Sequence, residues 1–311
     1  VEDQLTPAWA DLLRSQGHAP GPVLGSGMEG TVVALGDGLV AKLWRSRSAA
    51  ELTRLQSFYE AVAAAGPALR TPRIHRVLHL DGACASVETL LEGRPLWQPS
   101  GTSPPLITDR QVGAVVDALA ALAAVVPTAG MAVLPVLEGE EPFPTGTVPF
   151  ERSLAALVQR RVERSQGPLA ARLPDLDAVA AAVVARLRDL PPAPPRLVHG
   201  DLIPANVLVD QDSRPVAVLD FGFLTTVGDP AFDAAVAASV FDMYGPRARD
   251  TEALLDAAVA DRFGYPAERL AAYRAGYALA TSTCYSASGS DGHFAWCLRM
   301  LERPDVRAAL G

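Results

Sequence analysis

Asp201, Asn206 and Asp220 lie within one stretch, Leu197–Gly222, that reads LVHGDLIPANVLVDQDSRPVAVLDFG. Their types and spacing match a set that phosphoryl transfer from a nucleotide requires. One carboxylate, Asp201, would orient an attacking hydroxyl and accept its proton. The amide oxygen of Asn206 and the carboxylate of Asp220 would hold Mg²⁺ on the phosphates. Each stands at the end of an apolar run able to fix its position. Asp and Asn also favour ordinary turns, so none of the three is diagnostic alone.

Two features upstream extend the series. Gly25-Ser26-Gly27-Met28-Glu29-Gly30-Thr31-Val32 fits the pattern GxGxxGxV. In dinucleotide-binding folds a helix starts at the third glycine and turns its N-terminus to the pyrophosphate. Here a strand-like run, TVVAL, follows instead. Gly25, Ser26, Gly27, Gly30 and Val32 are therefore expected in a glycine hairpin lying over phosphates; a tight turn without ligand is the plain alternative. Lys42, in LVAKLW on the next strand, is placed to reach the α- and β-phosphates. It is the only lysine beside 26 arginines. A compact ammonium on a flexible stem is not equivalent to a guanidinium fork, which argues for a specific task over a solvated side chain. A carboxylate on the following helix should hold this lysine. Glu51 shares an apolar face with Leu55, Phe58 and Val62 but can also close a capping box with Ser48. Glu60 lies deeper in the helix, on a face with Thr53, Ser57 and Ala64. Both stay candidates.

The elements that must position these groups fall into two parts. Residues 5–16 have the pattern of a short amphipathic helix. Residues 22–44 alternate with a period of about two and carry a Gly36-Asp37-Gly38 turn, giving strand, glycine loop, strand, turn, strand. A helix over 48–65 follows, then strands over 71–80 and 83–90 around Asp81-Gly82. This order predicts a small antiparallel sheet with one helix packed on it, over residues 1–91. After Glu92-Gly93 helical periodicity dominates, at 109–127, 150–165, 176–189, 229–243, 250–262, 266–283 and 294–309. The only strong β signal in 92–311 is the stretch that carries Asp201 and Asp220. The fold class is α+β, a small β-rich N-terminal lobe joined to a larger, mostly helical C-terminal lobe.

The chain has 311 residues, 49% of them apolar, enough for a large core. The net charge is −8, and it is uneven: residues 1–91 hold 8 basic and 9 acidic side chains, residues 92–311 hold 19 and 26. An acidic second lobe disfavours nucleic acid and anionic membranes as partners and tolerates a cationic ligand. Cys84, Cys284 and Cys297 form no CxxC pair, so neither a disulfide framework nor a zinc site is expected. The first residues are too charged for a signal peptide, and the apolar run 114–126 is too short to span a bilayer. A cytoplasmic protein is expected. The oligomeric state has no signature in the sequence.

With the glycine loop, Lys42, His199-Gly200-Asp201, Asn206 and Asp220-Phe221-Gly222 in order, the chain resembles the aminoglycoside phosphotransferase and choline kinase-like family. These are small-molecule kinases with a protein-kinase-like fold. His-Gly-Asp in place of His-Arg-Asp is one mark; Gly228-Asp229-Pro230-Ala231-Phe232-Asp233, similar to the family's GDPxxD segment, is another. Only seven residues separate Gly222 from Pro230 and no Ala-Pro-Glu follows, so a long phosphorylatable loop is absent. Ile203 departs from the polar residue often found there, which puts specific phosphate or acceptor contacts at that position in doubt.

The resemblance implies a bilobal kinase-like fold that uses ATP or GTP with Mg²⁺. It makes residues 87–91 a hinge, with backbone groups of Glu88, Thr89 and Leu90 pairing with the nucleobase. It implies a small hydroxylated acceptor, possibly cationic in part, such as an aminoglycoside, macrolide or peptide antibiotic. A primary metabolite (choline, a sugar, a sugar amine or homoserine) is the alternative substrate. A nucleotide-binding pseudokinase regulator is the alternative from another class. Glu138, Glu140, Glu141, Asp242, Asp261, Asp291 and His293 would suit a cationic acceptor; Trp97, Trp296, Tyr244 and Tyr285 would suit a more apolar one.

Overall fold

In the computed structural model, residues 5–97, 106–144 and 146–311 are described. The alternating pattern of residues 23–44 folds as expected into three strands, β1 (Val23–Ser26), β2 (Gly30–Gly36) and β3 (Leu39–Trp44). They follow a short helix, α1 (Pro7–Ser15), and precede α2 (Ala49–Ala64), β4 (Ile74–Leu80) and β5 (Ala83–Thr89). The five strands form one antiparallel sheet in the order β1-β2-β3-β5-β4.

Strand alternation gives this sheet two faces with different tasks. On the outer face, Leu35, Ala41, Leu78, Ala85 and Val87 meet Trp9 and Leu13 of α1 in a small separate core. On the inner face, Trp44, Ile74 and Cys84 join Leu52, Leu55, Phe58, Tyr59 and Val62 of α2. Pairing register places Val32, Lys42 and Ser86 side by side on this inner face, with Val40 and Glu88 in the next row. A single apolar core then runs on from α2 into the helical part, through Phe221.

A two-residue strand, β6 (Arg94–Pro95), leads out of the sheet. The helical part follows as α3 (Asp109–Ala123), α4 (Phe150–Arg164), α5 (Gln166–Ala170), α6 (Leu176–Asp189), β7 (Arg196–Val198), β8 (Val207–Val209), β9 (Pro215–Val218) and β10 (Thr226–Gly228). It ends with α7 (Pro230–Val240), α8 (Ala248–Phe263), α9 (Ala267–Thr281), α10 (Gly292–Glu302) and α11 (Pro304–Leu310). The α+β class with a sheet-rich first part and a larger helical second part is what the sequence predicted. The expected single helix over 294–309 is instead two, because Pro304 cannot continue α10: it has no N–H and its ring clashes one turn back. The stretch that carries Asp201 and Asp220 is built by β8 and β9, paired antiparallel with β6 in a small sheet, while β7 pairs with β10. No helix among the described residues is long and apolar enough to cross a membrane.

Candidate active site

β3 carries Lys42 into the space between the sheet and the helical part. Its Nζ lies 2.7 Å from Asp220 Oδ1 and 2.9 Å from Glu29 Oε2, and 3.9 Å from the centre of the Trp44 ring. Burial works against the charge on Lys42, but the carboxylates of Asp220 and Glu29 outweigh it and raise its pKa. Burial likewise works against the Glu29 carboxylate, and Lys42 with Arg47, 2.8 Å away, holds it below its ordinary value. The lysine is thus charged and pinned between the two parts of the chain.

Neither carboxylate expected on α2 holds it. Glu51 accepts the backbone N–H of Ser48 at 2.8 Å in a capping box at the first turn of the helix, and Glu60 lies on the exposed side. The face that α2 turns inward is apolar instead. The partner, Glu29, belongs to the glycine loop itself, at one of the three variable positions of GxGxxG. A sequence reading that treats those positions as spacers has no signal to find it.

The loop is otherwise as its glycines dictate. A Cβ on Gly30 would stand 2.0 Å from the carbonyl oxygen of Leu43, so only glycine lets β2 start this close to β3. The Gly27 N–H donates to the Gly30 carbonyl at 2.9 Å, closing the turn. Gly25 sits at the open edge strand, the Ser26 hydroxyl meets the Thr31 hydroxyl at 3.1 Å, and Val32 stands opposite Lys42.

The second wall comes from the turn after β7. Gly200 takes φ +86°, and a Cβ there would stand 2.3 Å from the Phe223 carbonyl oxygen. The peptide N–H groups of His199 and Gly200 donate to Asp233 at 2.7 and 2.8 Å, anchoring the turn on α7. Asn206 is buried and its Nδ2 donates to the Asp201 carbonyl at 3.0 Å. That bond fixes the amide and leaves Oδ1 as its acceptor. Asp220 holds φ +56°, a region where non-glycine residues are uncommon and mark a constrained position. Burial pushes the Asp201 carboxyl up to about 7, and the charges of Asp220, Glu29 and Asp233 add to that.

His199 is fully enclosed beneath this turn, its ring 4.4 Å from that of Phe221. The Asp201 N–H donates to Nδ1 at 3.2 Å, so the proton sits on Nε2, which donates to the Leu219 carbonyl at 2.8 Å. An imidazolium would set two N–H groups against each other, and burial, offset only in part by the Leu219 carbonyl and the charge of Asp220, lowers the pKa to about 4 from 6.5. Below pH 6.5 the unfolded chain takes up a proton here that the folded chain refuses. Stability is therefore full above 6.5 and falls as pH drops toward 4, by roughly 3 kcal/mol in all. Urea unfolding at pH 7 and pH 4.5 should show a larger loss in the wild type than in His199→Gln.

The expected hinge is only partly arranged for a nucleobase. The Thr89 N–H donates to Arg73 and the Leu90 N–H to Gly38, the latter at 2.7 Å, because antiparallel pairing continues through these residues. Those two donors are not free for a base. Glu88 turns its side chain onto the inner face of the sheet, in the row beside Lys42.

A model of the phosphotransferase enzyme family matches residues 21–271. The chain belongs to that family. Among solved structures it is similar to the macrolide 2′-phosphotransferase apoenzyme from Brachybacterium faecium, at 20% identity and a TM-score of 0.61, over 96% of this chain and 99% of that one. It is also similar to the GDP complex of an aminoglycoside 2′-phosphotransferase, at 16% identity and a TM-score of 0.60, over 96% of each chain. A third is the aminoglycoside phosphotransferase from Streptomyces rimosus in complex with ADP and streptomycin, at 18% identity and a TM-score of 0.51, over 89% of this chain and 99% of that one. At these identities the likeness shows a shared fold. No curated protein sequence matches the chain significantly.

Beyond Asp201, the helical part of this phosphotransferase presents an aromatic wall. Tyr285 is half-exposed, stacked parallel to Phe223 at 6.1 Å and met edge-on by the buried His293 at 5.0 Å. Burial and then the charge of Asp201 raise the Tyr285 hydroxyl, which places the ring within reach of that carboxylate's field. Tyr244 is exposed close to Gly292, 3.6 Å from where a Cβ would stand. Asp291 caps α10 through Oδ1, which accepts the Phe294 N–H at 2.7 Å, while its Oδ2 is buried without a hydrogen bond. The acidic cluster 138–141 is not part of this wall as a unit: Glu140 is buried in ion pairs with Arg160 at 2.9 Å and Arg164 at 2.8 Å. Glu138, Glu141 and Asp261 are exposed, Trp97 stacks on Phe241, and Trp296 is core.

Proposed function

We propose that this chain transfers the γ-phosphoryl group of ATP or GTP to a hydroxyl of a small antibiotic with an apolar face. The observation that carries the reading is the meeting of Lys42, Asp220, Asn206 and Asp201 in one cleft, with Lys42 and Asp220 bridging sheet and helical part at 2.7 Å. Among the described residues no group of three or more His, Cys, Asp or Glu side chains could hold a metal by itself. One carboxylate and one amide oxygen nevertheless fit Mg²⁺, which keeps several ligands from water and phosphate. Asp220 and Asn206 would hold it there, and it would neutralise charge on the phosphates.

Lys42 would bind the phosphates beneath the glycine loop, displacing part of its contact with Glu29. Asp201 would orient the acceptor hydroxyl and take its proton as the new P–O bond forms and the bond to the β-phosphate oxygen breaks. The products are the phosphorylated acceptor and a nucleoside diphosphate, with the proton passing from Asp201 to solvent. The need for ATP or GTP favours a cytoplasmic setting.

Phe223, Tyr285 and Tyr244 offer aromatic faces, and Asp291 adds one negative charge beside Tyr244. That combination suits a molecule with a broad apolar side and a single amine, as in a macrolide, better than a polycation. The test is a panel of macrolides, aminoglycosides, peptide antibiotics and choline, incubated with the enzyme, either nucleotide and Mg²⁺. A gain of one phosphoryl mass on a macrolide is expected, and Tyr285→Ala should raise the KM for that acceptor by roughly tenfold. Modification of choline alone would replace the antibiotic reading by the metabolite one. Tight nucleotide binding without transfer to any acceptor would favour a pseudokinase.

A further inference from the structure

Glu88 is a buried carboxyl that the transfer chemistry does not use. It is 7% exposed and forms no ion pair among the described residues. Its one hydrogen bond is at the end of a relay: Trp44 Nε1–H donates to Ser86 Oγ at 2.8 Å, and the Ser86 hydroxyl donates to Glu88 Oε1 at 2.5 Å. Lys42, its neighbour on the same face, is already engaged by Asp220 and Glu29. Burying a carboxyl with so little compensation is costly, so a fixed acceptor held this way calls for a visiting partner. Burial raises its pKa, and the Ser86 hydrogen bond and the charge of Lys42 offset that only in part.

Sheet register says what reaches it. The glycine loop closes at the end of the sheet where Gly30 faces Trp44, and Lys42 follows two residues along, opposite Val32. Phosphates beneath the loop lie at that end. Glu88 faces Val40, one row beyond the Lys42–Ser86 row and about 7 Å further along the strand, away from the loop. A nucleotide with its phosphates on Lys42 must extend its base in that direction. Val32, Ala34 and Val40 supply apolar surface on the same face, and Glu88 is the ionisable group among them.

We propose that Glu88 is the base-reading residue of this enzyme, its carboxyl accepting an edge N–H of a purine. The donor is the N6 amino group of adenine, or N1–H and the N2 amino group of guanine. Ser86 and Trp44 are positioning residues that hold the carboxyl in place. The inference rests on the nucleotide-dependent reading above.

The test pairs deletions on both sides. Dissociation constants are measured for ATP, GTP, purine riboside triphosphate (no 6-amino group) and ITP (no 2-amino group), with the wild type and Glu88→Leu. For the preferred nucleotide, Glu88→Leu should weaken binding by roughly 10- to 100-fold. For purine riboside triphosphate, which lacks the one donor an adenine reader would use, the same substitution should change binding by no more than about twofold; for ITP, which keeps N1–H but not the 2-amino group, it should cost clearly less than for GTP, since coupled deletions are not additive. Equal losses for all four nucleotides would show a merely structural carboxyl and overturn the inference, as would affinities indifferent to Glu88. Glu88→Gln, of the same shape, supplies the reading should the leucine variant not fold. It should shift the ATP-to-GTP preference by about fivefold or more, and an unchanged preference overturns the inference. A wild type that binds neither ATP nor GTP overturns the underlying function as well.

Discussion

Asp201→Asn should lower kcat by roughly 10²–10⁴, the range for a positioned proton acceptor, while nucleotide affinity is kept. The substitution removes a base without removing a scaffold. Asp201 contributes its backbone to the turn: its N–H donates to His199 Nδ1 and its carbonyl accepts from Asn206, and an asparagine retains both. Its carboxylate is not among the groups paired with Lys42, so the phosphate end of the cleft is untouched. The variant should also melt at a higher temperature than the wild type. Asp201 is held near the carboxylates of Asp220, Glu29 and Asp233, which together with burial push its pKa up to about 7. A neutral amide relieves that repulsion, a gain in stability where activity demanded an unfavourable charge. Stopped-assay turnover with the best acceptor, nucleotide titration and a thermal melt check the three parts together. Turnover within tenfold of the wild type would sink the assignment of Asp201.

Much of the fold is legible in the sequence, and the reasons are local. Alternation around Gly36-Asp37-Gly38 reports strands because every second residue must face a core, and α2 carries Leu52, Leu55, Phe58 and Val62 at helical spacing. Asp201, Asn206 and Asp220 could be singled out because the roles proposed for them depend on residue type at the ends of buried strands. What escaped depends on contacts between distant segments. Glu29 and Lys42 are 13 residues apart and Lys42 and Asp220 178 apart, and no periodicity encodes either pairing. The same holds for Asp233, which anchors the peptide groups of His199 and Gly200, and for Asp229, which gathers Arg269 and Tyr273 beneath α7. Both stand in the motif Gly228–Asp233, whose residues were visible while the bonds they make were not. On α2 the capping requirement of the first turn claimed Glu51, a local demand that removed it from the cleft.

Lys42→Arg should reduce kcat/KM by about 10² or more although the formal charge is unchanged. The ammonium is enclosed, its side chain 11% exposed, with the Trp44 ring on one side and the carboxylates of Asp220 and Glu29 on others. Three tetrahedral donors fit that arrangement, because one can turn to each carboxylate and one remains for a phosphate oxygen. A guanidinium is planar and longer, and its five N–H groups form a fixed fork. Paired bidentately with Asp220 it would draw that carboxylate from the place where it is proposed to hold Mg²⁺. Turned outward to Glu29 it would resemble Arg47, which already occupies that side at 2.8 Å. Fold stability should change little, since the cleft keeps a cation between two carboxylates. Lys42→Met, by contrast, leaves Asp220 and Glu29 without that cation and should lose stability together with activity. Comparing melting temperature with kcat/KM across the two variants separates geometry from charge. An arginine variant within fivefold of wild-type kcat/KM would mean that any cation suffices there, and the lone lysine in a chain of arginines would lose its explanation.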